Sequence, residues 1–115
     1  MTVEPMFYAS LLPRLTTVAR ERGYALAVHG SMRRDLDLIA VPWTNDAMNP
    51  LGLVRALCRA CGGNLAHKSH RQVMGEAYEE KPIEKPHGRL SYSIYLSDEG
   101  GDGPYLDVSV MPLQK

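Results

Sequence analysis

At 115 residues the chain has room for one hydrophobic core, which at this size buries roughly two thirds of the unfolded chain's surface, so residues 1–115 are expected to form a single domain. A composition of 44% hydrophobic and 23% charged residues excludes wholesale disorder. Thirteen basic residues balance thirteen acidic ones, which argues against a general nucleic-acid coat, since that function draws on an excess of Lys and Arg.

Residues 10–23 space Leu11, Leu12, Leu15, Val18 and Ala19 at three- and four-residue steps, the period of a helix with one apolar face. Ser10 is the expected N-cap and Gly23 the stop. Pro13 then falls in the first turn, the one place where its missing N–H costs no helical bond. Residues 24–29 read as a short apolar strand ending at Gly30, and residues 35–41 as a second strand closed by Pro42; around Gly30 and Ser31 the two would form a hairpin. Residues 43–50 are a loop rich in Asn, Asp, Thr and Pro.

A second helix is predicted over residues 51–61, with Leu51, Leu53, Val54, Leu57, Cys58 and Cys61 on its apolar side and Gly62 and Gly63 ending it. Residues 64–87 are polar and weakly periodic, and they read as a long exposed loop of the kind that tends to carry function. Residues 89–97 alternate Leu90, Tyr92, Ile94 and Leu96 with Ser91, Ser93, Tyr95 and Ser97, the pattern of a half-buried strand. The Gly-rich stretch 98–104 turns the chain back into a last strand over residues 105–111, which sets Asp107 opposite the middle of the strand before it. Helix, strand, strand, helix, strand, strand predicts an α+β fold: a small mixed or antiparallel sheet with helices packed on one face.

The stretch V-H-G-S-M-R-R-D-L-D-L-I-A-V, residues 28–41, carries the chemistry. Because side chains alternate across a strand, Asp35 and Asp37 share one face while Leu36, Leu38 and Ala40 take the other. Adjacent carboxylates repel, and a divalent cation between them relieves that cost. Asp107, set between Leu106 and Val108, supplies a third acid in an apolar strand, where an unpaired carboxylate is costly to bury. The plainer alternative is a pair of solvated edge carboxylates neutralised by Arg33 and Arg34.

Gly-Ser, then Asp-Leu-Asp-Leu, then Leu-Asp-Val on a later strand resembles the DNA polymerase beta superfamily of nucleotidyltransferases, in particular its minimal members, over residues 24–112. Only Met32, Arg33 and Arg34 separate Ser31 from Asp35, a shorter spacing than the family's. The resemblance implies that Asp35, Asp37 and Asp107 bind catalytic Mg2+ or Mn2+, that Gly30 and Ser31 hold the phosphates of a nucleoside triphosphate, and that a protein partner or a second copy of the chain takes part. Arg33 and Arg34 add fork-shaped donors suited to phosphate. A catalytically inactive module that holds a nucleotide or a partner through the same pocket is the alternative. The compact size, neutral charge and short loops also suit a phage or mobile-element protein.

Other constellations are weaker. Cys58 and Cys61 with His67 and His70 offer four zinc ligands, but the intervening spacing is short and both cysteines already fit the buried side of a helix. His29 reads as a packed strand-end residue or a nucleotide contact, residues 85–89 as a solvated basic loop or a polyphosphate contact, and Trp43 as a core lid or a base-stacking platform. No run of about 18 apolar residues and no signal-peptide pattern occurs, and two closely spaced cysteines suit a reducing compartment, so a cytoplasmic location is expected.

Overall fold

The computed structural model describes residues 4–99 and 102–113. Three helices and five strands follow the order α1 (Pro5–Glu21), β1 (Tyr24–His29), β2 (Asp35–Pro42), α2 (Pro50–Cys61), α3 (Lys68–Met74), β3 (Ile83–Glu84), β4 (Leu90–Tyr95) and β5 (Tyr105–Val110). The strands form one mixed sheet in the order β1-β2-β5-β4-β3. β1 and β2 are the antiparallel hairpin that the sequence suggests. β2 and β5 run parallel, whereas β5 with β4 and β4 with β3 are antiparallel.

α1 and α2 lie against one face of the sheet. Leu36, Leu38 and Ala40 of β2, Tyr92 and Ile94 of β4, and Leu106, Val108 and Val110 of β5 form the floor of the core; Tyr8, Leu15 and Ala19 of α1 and Leu53, Val54 and Leu57 of α2 form its roof. Each fully buried Leu, Ile or Val among these contributes about 1.5–3 kcal/mol relative to exposure, so the period-2 pattern of β2 decides which way the strand faces. α2 begins as a capped helix should: Asn49 Oδ1 accepts from Gly52 N–H at 2.8 Å, and Gly62 ends it with a left-handed φ of 69°.

Two elements differ from the sequence reading. α1 starts at Pro5 rather than after Ser10, so Pro13 lies in mid-helix. It is tolerated there because Pro13 and Ala9 are both exposed, and the Ala9 carbonyl that loses its usual N–H partner stays within reach of water. The added turn buries Tyr8 completely, with its hydroxyl donating to the Arg34 carbonyl at 2.7 Å. The supposed loop 64–87 contains α3, β3 and a short 3-10 turn at Pro86–Gly88. No residue of α3 is buried, which is why no apolar period marked it.

That segment is tied down by specific contacts. Asn64 exchanges two main-chain bonds with Tyr95, each 2.8 Å, and Glu80 Oε1 accepts from His67 N–H at 3.0 Å and meets His70 Nδ1 at 2.8 Å. Together with β3, paired at Leu90 and Ser91, these contacts cover the outer edge of β4. Among the described residues, no helix is long and apolar enough to cross a membrane.

Candidate metal centre

Burial of Leu36 and Leu38 against the helices forces Asp35 and Asp37 onto the opposite face of β2. The parallel register then sets Asp37 directly beside Asp107 and Asp35 beside Tyr105. One carboxylate oxygen from each of Asp35, Asp37 and Asp107 lies within 4.8 Å of the others. The three acids named from the sequence therefore converge, although Asp107 is some seventy positions from the pair. A single row crosses four strands at this level: His29, Asp37, Asp107 and Ser93.

The electrostatics follow from the crowding. The Asp37 carboxyl is pushed up to about 6, first by burial, then by a hydrogen bond shared with Asp35 and by the charges of Asp35 and Asp107, with His29 partly offsetting them. Ser91, one row away on β4, donates its hydroxyl to Asp107 Oδ1 at 2.9 Å and so fixes that carboxylate's orientation. Burial and then the Asp35 charge also hold the Tyr105 phenol above its ordinary range.

Gly30 is glycine for a local reason. Its φ is 79°, and a Cβ there would fall 2.5 Å from Asp37 Oδ2, so any side chain would collide with the carboxylate. The turn that follows is compact. Met32 takes a left-handed φ of 59° and packs its side chain against the core, while the Tyr8 bond holds the Arg34 carbonyl. Ser31, Arg33 and Arg34 are consequently exposed at the end of the sheet that carries the acids. Of the four residues expected to take phosphate, Gly30 touches the acidic centre directly. Arg34 is near enough for its charge to act on Tyr105.

The donor set is three hard oxygens, which suits Mg2+, Mn2+ or Ca2+ and not zinc. Two ligands of one ion can be no farther apart than twice the bond length, about 4.2 Å for Mg2+ and roughly 4.6–5.2 Å for Ca2+. The 4.8 Å span accommodates the larger ion as it stands, and the smaller one after side-chain rotations of a few tenths of an ångström. The residues present therefore fit a divalent cation.

The rival ligands do not assemble. Among the described residues, the aspartates are the only three or more His, Cys, Asp or Glu side chains that converge. Cys58 is buried in α2, its thiol pushed up to about 11 by burial, while His67 caps α3 by accepting from Ser69 N–H at 3.1 Å and His70 pairs with Glu80. Trp43 is 65% exposed at the start of the β1 edge and is not a core lid. Ser91 and Ser93 are the site residues that sequence reasoning passed over; their signal was the alternation of serines on the face of residues 89–97 that Asp107 shares.

Comparison with family models, with curated proteins and with solved structures found no match to this chain.

Proposed function

We propose that this protein is a divalent-metal-dependent nucleotidyltransferase of minimal size. The observation that carries the reading is the convergence of Asp35, Asp37 and Asp107 beside the Gly30-Ser31 turn, on the sheet face opposite α1 and α2. Asp35, Asp37 and Asp107 would hold Mg2+ or Mn2+, which when bound supplies charge neutralisation on a phosphoryl group and a more acidic acceptor hydroxyl. Gly30 and Ser31 offer main-chain N–H groups and a hydroxyl to the phosphates, and Arg33 and Arg34 add cationic forks from the same turn. Asp107, on the far side of the centre from that turn, is the acid closest to where an acceptor hydroxyl would enter, and Ser91 acts as its positioning residue.

The turn is also the observation that favours a second reading, a module that binds nucleotide without turning it over. Only three residues separate Ser31 from Asp35, which leaves little chain to wrap a triphosphate.

Incorporation of α-labelled nucleoside triphosphates into protein, RNA or small-molecule acceptors, with Mg2+ or Mn2+, decides between the two. Transfer by the wild type that falls by at least about 100-fold in Asp107→Asn, with nucleotide affinity retained, supports the enzyme. Ser31→Ala should instead weaken nucleotide binding. Binding with no transfer under any condition supports the module, and transfer undiminished in Asp107→Asn removes the three-acid mechanism.

A further inference from the structure

β1 is the bare edge of the sheet. Its main-chain groups can be sorted from its partner: Pro42, opposite Tyr24, has no N–H, and Trp43 N–H donates to the Gly23 carbonyl at 2.9 Å. Antiparallel pairs alternate between bonded and non-bonded positions, so Ala25, Ala27 and His29 turn their N–H and C=O groups toward β2, and Tyr24, Leu26 and Val28 turn theirs outward. No main-chain or side-chain group of the described residues takes those outward groups. The strand reads Y-A-L-A-V-H, with no Lys, Asp, Glu or Pro to discourage pairing.

We infer that β1 pairs antiparallel with β1 of a second copy of this chain, about a twofold axis at Leu26. The occupant is a second copy because the edge is complementary to itself, and one register satisfies every outward group. With Leu26 opposite Leu26, Tyr24 faces Val28 on both sides, all three outward-facing residues become bonded pairs, and six main-chain bonds form. An axis at Ala25 or Ala27 leaves four, and a shift by one residue sets apolar-face residues against open-face ones. Neither strand brings a charged residue to those pairs, so no like charges stand directly opposite one another along the seam.

Side-chain packing favours the same register. A cleft of about 270 Å3 lined by Thr16, Arg20, Tyr24, Ala25, Leu26 and Trp43 opens beside the first half of β1, and Val28, on the same face as Tyr24, is 40% exposed. In this register the partner's β1 brings its valine opposite Tyr24, at the mouth of that cleft. Five strands from each copy then make one continuous sheet, with both acidic centres on the same side.

Sedimentation equilibrium over roughly 1–200 µM reads the mass, and disulfide trapping reads the register. The wild type is expected to reach dimer mass, and Val28→Lys, an exposed change that sets a cation at the edge, should weaken the dimer by about tenfold or more while leaving the melting temperature unchanged at dilutions where both proteins are monomeric. Ala25→Cys mixed with Ala27→Cys should cross-link under mild oxidation, since those positions face one another, and neither variant should do so alone. A monomer at every concentration overturns the pairing. Cross-linking of Ala27→Cys with itself, or a dimer indifferent to Val28→Lys, overturns the register and the edge.

Discussion

The two faces of β2 are made by alternate residues of one eight-residue strand, yet they obey opposite rules. On one, Leu36, Leu38 and Ala40 are fully buried and gain stability from everything they touch. On the other, Asp35 and Asp37 stand beside Asp107, no cation of the described residues forms an ion pair with them, and the charges of the other two push the Asp37 carboxyl up. The contrast teaches that the open face is not simply the wet side of a sheet. It holds repulsion that the core face supports, and such a site is released by a ligand rather than by packing.

The largest test breaks the supporting face. Leu38→Ala, at a position with no exposure, should cost about 2–5 kcal/mol in denaturant unfolding. An equal loss on Ile39→Ala, one residue away on the other face, would abolish the distinction.

Next comes the ligand. Mg2+ or Mn2+ at one hundred times its dissociation constant should add about 2.7 kcal/mol and raise the melting temperature by several degrees. A melting curve unmoved by saturating metal would mean that the open face holds no ion.

Removing the repulsion chemically should sharpen the comparison. In metal-free buffer at pH 7.5, Asp37→Asn is expected to stabilise the fold by roughly 1–2 kcal/mol, the full shift being discounted for solvent screening of a half-buried group, and to abolish the response to metal. The pH dependence carries the sign. The folded carboxyl titrates near 6, above the ordinary carboxylate value of about 3.9, so the native state binds more protons than the unfolded state between those values. Stability should therefore fall as pH rises from about 4 to about 6. Thermal melts across that window should show the fall in wild type, lose it in Asp37→Asn, and lose it again in wild type with saturating metal.

The smallest effect concerns orientation. Ser91→Ala removes the hydroxyl that holds Asp107 Oδ1, and titration calorimetry should find metal affinity lowered by roughly 10-fold with little change in stability.

Where the sequence was legible, it was because a single physical rule governed the residues. Alternation in residues 35–41 placed Asp35 and Asp37 on one face, since burial of Leu36 and Leu38 admits one orientation, and closure of the Gly-rich turn set Asp107 opposite the middle of residues 89–97, where the sheet register puts Ser93. It was illegible where rules competed. Pro13 reads as a first-turn proline on local grounds, but burial of Tyr8 and its bond to Arg34 outweigh one lost helical bond and draw the helix back to Pro5. α3 buries nothing and depends on Glu80, ten and thirteen positions beyond the histidines it holds, a contact that no local pattern announces. The shared face of Asp35 and Asp37 followed from pattern and the joining of Asp107 to them from the resemblance; the parallel pairing that brings it about, and the part Ser91 plays in it, required the sheet order.

That parallel pairing also sets a timetable. β1 and β2 close through a five-residue turn, but β2 meets β5 only when residues 35 and 105 come together, after the whole of the intervening chain has found its place. Contacts of such separation carry the highest loop-closure cost and form late. The acidic centre is thus among the last features to appear as the chain folds, so a cation that binds it should leave the folding rate nearly untouched and act by slowing unfolding.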